Sequence, residues 1–305
     1  MVALATRRAD AAAVPRRRKW RRDWTPDLLL APALIAVAAV MGFPLVYLVY
    51  MSLHKWALIG YAAPEFVGVA NFTALLDDDR FTGSLWRTLY FTALGLVTNL
   101  PAGLGIALLL NREFFGRSVL RALLIFPMVA TPVAMGLVWV VMLDPSLGIV
   151  RYLFGLVGIA NPPLWLSDTD WVVPTLVAVD GWMWTPMVAL ICSAGLASLP
   201  TEPFEAAIVD GASAWQRFRY LTLPLLMPIL LVAAMLRLMD LLKVIDIVYV
   251  MTGGGPAHAS ETINLYNYLV ALSYGKIGYG AAVALVLFAL VLAATLGLVR
   301  LRSAS

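Results

Sequence analysis

The chain has 305 residues, 62% of them hydrophobic and 13% charged, with a mean hydropathy of +0.86. Soluble domains of this length are not so poor in charge. Continuous apolar runs of about twenty residues mean membrane-spanning helices, and their lack of alternation excludes a barrel. The formal net charge of +4 comes mainly from one end, where a basic juxtamembrane tail points to membrane topology and away from a nucleic-acid partner.

That tail, residues 1–27, carries Arg7, Arg8, Arg16, Arg17, Arg18, Lys19, Arg21 and Arg22. The apolar stretch behind it, Leu28 to Leu53, is too long for the core of a cleavable signal. Six spans follow in residues 28–305: roughly 28–53, 87–111, 119–143, 173–197, 224–250 and 280–300. Pro32, Pro44, Pro101, Pro127, Pro132, Pro186 and Pro228 lie in or at the ends of these spans. Membrane helices tolerate proline where neighbours or water satisfy the freed carbonyls, so kinked helices around a cavity are expected. The fold class is therefore all-α, a six-helix membrane protein.

Lysine and arginine set the orientation. With the amino terminus inside, the inner segments hold the tail cluster, Arg112, Arg117, Arg121, Arg217, Arg219, Arg300 and Arg302; the outer ones hold Lys55, Arg80, Arg87, Arg151 and Lys276. Both termini and the segment 200–223 are then cytoplasmic. The outer loops, 54–86 and 144–172, are the longer ones. They carry Asp77-Asp78-Asp79-Arg80 in the first, and Trp165, Asp168, Asp170 and Trp171 in the second. The tryptophans read as interfacial anchors, and also as a cap on which an external protein could dock.

Segment 200–223 is a polar island about twenty residues long in an apolar chain. Pro200 and Pro203 end the fourth span and start a short helix, with Glu205 in its first turn, where a carboxylate meets the helix dipole favourably. Gly211 splits the island into two short helices. Ala206, Ala207, Ile208, Val209, Trp215, Phe218 and Tyr220 make it apolar for a cytoplasmic connection, and an exposed patch of that kind marks a protein interface.

The fifth span holds Arg237, Asp240, Lys243 and Asp246, three residues apart and alternating in sign. Each charge at mid-membrane costs about 2.5–3.5 kcal/mol, so the row cannot face lipid. Neighbours three apart meet on a helix. The row is therefore a self-neutralising ladder, a polar wall of a translocation path, or both. Asp180 in the fourth span, beside Trp182 and Trp184, offers a carboxylate next to aromatic faces, a combination that suits polyhydroxylated ligands. The chain has no Gly-x-x-x-x-Gly-Lys-Ser/Thr segment, so any ATP that drives it is bound elsewhere. Gly253-Gly254-Gly255-Pro256 reads as the turn ending the fifth span. Cys192 is the sole cysteine, which excludes a disulfide within the chain. His54 and His258, both in loops, read as solvated side chains. With no nucleophile–base pair or metal cluster in the spans, nothing indicates an enzyme.

Glu205-Ala-Ala, three residues ending in Asp210, then Gly211, and then Leu223-Pro224 resemble the coupling motif of permease subunits in binding-protein-dependent ABC importers. Leu221 stands where the family usually has isoleucine. Phe43-Pro44, Gly68-Val-Ala-Asn71-Phe72, Asp246-Ile-Val-Tyr249-Val-Met-Thr252-Gly-Gly-Gly-Pro256, Glu261-Thr262, Leu265-Tyr266-Asn267-Tyr268 and Gly278-Tyr279-Gly280 are similar to the carbohydrate branch, the maltose and sn-glycerol-3-phosphate type. The resemblance implies the type I importer permease fold in a bacterial or archaeal cell membrane. It implies a second homologous permease subunit, two cytoplasmic ATP-binding subunits that hold ATP and magnesium, an external substrate-binding protein, and a sugar or polyol cargo. It places Glu205, Ala206, Ala207, Asp210, Gly211, Leu223 and Pro224 at the ATPase contact. Asp180, Trp182, Trp184, Arg237, Asp240, Lys243, Asp246 and Tyr266 are the candidates for the cargo pathway. Two alternatives remain at this point: an ion- or proton-coupled secondary transporter using Asp240 and Asp246, which the elbow disfavours, and the same scaffold carrying glycerol 3-phosphate.

Overall fold

The computed structural model describes residues 25–58, 63–159 and 161–304. The basic tail up to residue 24 lies outside them. The chain divides into a unit ending at Tyr47 and a second running from Leu48 onward. The first described element, α1 (Thr25–Ser52), has no buried side chain between residues 29 and 46. Pro32 and Pro44 lie inside it.

The second unit opens with an antiparallel ribbon, β1 (His54–Lys55) and β2 (Glu65–Phe66), and a short helix, α2 (Ala70–Leu76). The long α3 (Asp79–Leu110) follows, capped by Asp78, whose side chain accepts from the amides of Arg80 and Phe81. It begins eight residues before the expected second span, because an acidic N-cap and the polar first turn extend it beyond its apolar stretch. The expected third span is not one helix. α4 (Arg117–Val129) and α5 (Pro132–Met142) meet at a bend of 104°. Pro132 starts α5 behind an extended Thr131 whose hydroxyl caps the new helix, so the proline breaks the span instead of kinking it. The loop beyond carries an unexpected helix, α6 (Ile149–Leu156).

The centre of the unit is α7 (Val172–Ala197), with buried residues on all sides. Small residues let its neighbours approach closely. A Cβ on Gly103 of α3 would lie 2.5 Å from Val188, and one on Gly181 of α7 would lie 2.6 Å from the Asn99 amide oxygen. After the α7 end come α8 (Glu202–Val209), α9 (Ala214–Arg217), a π-helical turn over Phe218–Thr222, and α10 (Leu223–Leu242). The expected fifth span is therefore also divided. α10 stops at Leu242, and α11 (Asp246–Thr252) resumes after three residues and ends at a left-handed Gly253. α12 (Ile263–Tyr268) and α13 (Ile277–Ala304) complete the chain. Among the described residues five helices are long and apolar enough to cross a membrane, and six crossings result if α4 and α5 count as one.

At the end that carries the ribbon, side chains stitch the helices together. Arg80 grips the fully buried Glu261 through two hydrogen bonds of 2.9 and 2.7 Å and donates to the Tyr274 hydroxyl at 3.1 Å. Asp78 accepts from the hydroxyls of Tyr266 and Tyr279 at 2.5 and 2.7 Å. Burial pushes the Asp78 carboxyl up, but those hydroxyls and the amides of Phe81 and Arg80 outweigh it and hold it below the usual carboxylate value. Burial and the bond to Asp78 push the Tyr266 hydroxyl up. Close approach also fixes Gly278, where a Cβ would sit 1.9 Å from the His54 carbonyl oxygen. Neither histidine is simply solvated: His54 is buried with Nδ1 2.6 Å from the Tyr50 carbonyl oxygen, and His258 contacts Glu261 at 2.9 Å.

Candidate functional site

The elbow between α7 and α10 is built by local chemistry. Pro203 sits in the first turn of α8, and Glu202 and Glu205 face its positive end. Asp210 closes the helix, and Gly211 turns the chain at φ +78°, a conformation a Cβ resists. Ser213 and Gln216 then form a capping box that starts α9. Arg217 reaches back 2.9 Å to the Ala212 carbonyl and fixes the angle between the two helices. Pro224 enters α10 at its first turn, with Leu223 as the first residue of that helix.

This elbow has no buried residue in either short helix. Ile208, Val209, Trp215 and Tyr220 are 58%, 87%, 69% and 72% exposed. Four large apolar side chains exposed on so short a segment form a patch of the kind that marks protein interfaces. Glu205, Ala206 and Asp210 are exposed beside them, and Ala207 is half-buried. Under the elbow lies a cavity of about 810 Å³ between the ends of α3 and α7, with Asn111, Arg112, Phe204, Glu205 and Arg217 in its walls.

The charged residues of the fifth span do not form the expected ladder. Arg237 leaves its own helix and pairs with Asp180 of α7, where Asn99 of α3 approaches the same carboxylate oxygen at 3.5 Å. Arg237 is fully buried and Asp180 is 4% exposed. This triad joins three helices inside the protein, so Asp180 does not present a free carboxylate to cargo. Lys243 pairs only with Asp240, at 3.4 Å, and both are well exposed. Asp246 stands alone at the start of α11, exposed and off the α10 helix. The helix break explains the loss of the last step: Lys243 caps α10 and Asp246 starts α11, so those two are no longer neighbours on one helix, while the Asp240–Lys243 step survives.

The break itself is stabilised by side chains. Asn264 donates to the Lys243 carbonyl at 2.5 Å, and Thr262 donates to the Val244 carbonyl at 3.0 Å. Nearby, Tyr249 and Tyr268 meet edge to face at 5.5 Å, and both are exposed. An interrupted helix at membrane depth is tolerated only where protein or water covers it. Asp240, Lys243, Asp246, Tyr249, Asn264 and Tyr268 are the polar and aromatic side chains carried at or beside this break. The sequence pattern did not mark Tyr249, Asn264 or Tyr268 as a group; the break brings them together. Trp182 is 41% exposed and packs on Trp139 at 5.6 Å. Trp184 packs against the main hydrophobic core. Tyr266, expected on the pathway, is buried and committed to Asp78. Among the described residues no three His, Cys, Asp or Glu side chains gather into a metal site.

Residues 99–302 match the family of binding-protein-dependent transport system inner membrane components. The chain belongs to this family. It is 36% identical over 93% of its length to a probable ABC transporter permease of Sinorhizobium fredii, across 91% of that protein. It is 35% identical to the trehalose/maltose transport system permease MalF of Thermococcus litoralis, with 91% and 93% of the two chains covered. Identity is 33% to the sulfoquinovosyl glycerol transport system permease SmoG of Agrobacterium fabrum, over 94% of each chain. The fold matches a subunit of a bacterial ABC transporter that imports the acidic polysaccharide alginate. The TM-score is 0.78 at 22% identity, covering 92% of this chain and 96% of that one. The protein is a multi-pass inner-membrane permease subunit of an ABC importer with the type I fold.

Proposed function

We propose that this permease carries a sugar or polyol and forms half of the translocation pathway. A second, homologous permease forms the other half. Two cytoplasmic ATPase subunits bind ATP and magnesium, and an external binding protein delivers the cargo. The observation that carries the reading is the exposed apolar elbow with its left-handed Gly211, a preformed contact surface at the end opposite the long loops. The lysine and arginine bias places that end, both termini and the basic tail in the cytoplasm. The relatives named for trehalose, maltose and sulfoquinovosyl glycerol support a carbohydrate cargo.

Mechanistically, closure of the ATPase dimer pushes on α8. Gly211 and the capping box pass the movement into the α9–α10 rod. The Asp180–Arg237–Asn99 triad makes α3, α7 and α10 move together. The cargo passes the surface at the α10–α11 break, where carboxylates, an amide and two tyrosine faces meet the hydroxyls and the apolar face of a sugar ring. The transporter reconstituted with its partners in proteoliposomes tests this reading. ATP hydrolysis should rise when binding protein is added with a cognate sugar, and uptake should require both permeases. No stimulation by any member of a broad sugar and polyol panel, together with stimulation by an amino acid or a peptide, overturns the carbohydrate assignment.

A further inference from the structure

The loop that joins α5 to α7 encloses a cavity of about 390 Å³. Its walls are Trp139, Leu143, Val150, Phe154, Trp165 and Trp171, with α7 closing the remaining side. The rings interlock: Phe154 lies 5.4 Å from Trp165, and Trp165 meets Trp171 edge to face at 5.5 Å. Thr175 is the sole wall residue with a side-chain hydroxyl, and that hydroxyl already donates to the Trp171 carbonyl at 2.7 Å. A polyhydroxylated cargo would lose its hydrogen bonds to water here and gain few in return. An alkyl chain would lose nothing.

Three further features bear on the occupant. The Trp139 indole N–H is buried within the wall, so that side chain presents the cavity with ring carbon and no donor. Helix α6 turns Val150 and Phe154 toward the cavity and leaves Ile149, Tyr152, Leu153 and Leu156 exposed, so its outer side is also apolar and suits contact with lipid. Arg151 on the same helix lines a small hollow that shares Leu143 and Trp165 with the cavity. Its guanidinium donates to the Pro145 carbonyl at 2.6 Å. The neighbouring Asp144 is engaged by the Ser146 hydroxyl and the amides of Ser146 and Leu147. A cation stands beside an apolar slot where tryptophans gather, and that arrangement complements a molecule with an anionic head and an alkyl tail.

We propose that this cavity binds a glycerophospholipid of the extracytoplasmic leaflet. Its acyl chain lies among the tryptophans, and its phosphate meets Arg151. The site stands apart from the cargo surface at the α10–α11 break and does not depend on which sugar is carried.

The test uses the intact transporter in nanodiscs of phosphatidylethanolamine and phosphatidylglycerol, doped with a phosphatidylglycerol that carries a photoreactive diazirine on its acyl chain. After irradiation, adducts are mapped by peptide mass spectrometry. Peptides holding Phe154, Trp165 or Trp171 should be labelled well above the peptide of exposed Phe288, a lipid-facing reference on α13. Filling the cavity with Ala178→Trp should bring that labelling down to the reference level. Val150→Trp fills it from the α6 side and serves if the first variant fails to assemble. Arg151→Gln should lower labelling by phosphatidylglycerol while transport ATPase activity persists. Labelling at the reference level in the unmodified protein overturns the proposal, as does labelling that survives both fillers. Cross-links from these peptides to the second permease in place of lipid also overturn it, because the partner subunit would then be the occupant.

Discussion

Removing the Asp180 carboxylate should cost far more than removing any exposed charge of the fifth span. Arg237 is fully buried, and its Nε and Nη1 have no hydrogen-bond partner, so the carboxylate is its main compensation. Breaking a buried pair by deleting one member costs about 3–5 kcal/mol, because the other charge stays behind. The two single variants should differ. A guanidinium cannot shed its proton, whereas a lone buried carboxylate can take one up and become neutral. Asp180→Asn should therefore be worse than Arg237→Met, and the double variant should recover much of the loss, since a neutral pair of similar volume leaves no orphaned charge. The yield of monodisperse complex and its thermal midpoint in detergent measure all three. An Asp180→Asn complex as stable as the original would refute the reasoning, and so would a double variant no better than Asp180→Asn alone.

Asp240→Asn and Lys243→Gln should each change folded yield by no more than about 1 kcal/mol, as expected for an exposed pair; loss of uptake at normal yield would then mark them as cargo or partner contacts, and a collapse in yield would contradict their exposure. Gly211→Val forces a β-branched residue to φ +78°, so the complex should insert but lose ATPase-coupled uptake; full uptake would remove the elbow from the coupling route. The Asp78 carboxyl is held low by Tyr266 and Tyr279 against the opposing pull of burial. Its contribution is thus present above the ordinary carboxylate value and lost as pH falls through the lowered one. Asp78→Asn should flatten the acid side of the thermal-midpoint profile, and an unchanged slope would deny Asp78 that role.

Hydropathy located the five helices long and apolar enough to cross a membrane and the bent α4–α5 pair, because apolar length is a property of local sequence. It could not show that two of them are broken. Pro132 was visible, yet whether a proline kinks or splits a span depends on whether a new helix can start behind it, and here the Thr131 hydroxyl accepts from the Ala134 amide and caps one. The break at Lys243 has no proline at all. It exists because Asn264 and Thr262, about twenty residues further on, supply donors to the carbonyls of Lys243 and Val244. That is tertiary information, and it undid the last helical step on which the charge ladder depended. Asp180 and Arg237 were both singled out from the sequence, but their meeting across 57 positions was not legible. The two short helices of the elbow and the turn between them were legible, because their signals are local: a proline, two acids and one glycine; the capping box of Ser213 and Gln216 and the π-helical turn after it were not read.

The polar groups of the second unit fall into two physical classes, and the division bears on function. Asp180, Asn99, Arg237 and Glu261 are buried and Asp78 is half-buried, and all are bonded to groups on other helices. Such groups tie elements into bodies that move as one, because separating them would strand a charge away from water. Asp240, Lys243, Asp246, Tyr249 and Tyr268 are exposed around a backbone break already satisfied from within. They have interactions to offer and do not need them to hold the fold. A transporter requires both classes: rigid groups of helices that carry the motion of the elbow, and a surface whose polar groups can exchange water for cargo and back again without unfolding anything. The sequence mixed the two in one row of four charges. Arg237 belongs to the first class, and Asp240, Lys243 and Asp246 belong to the second.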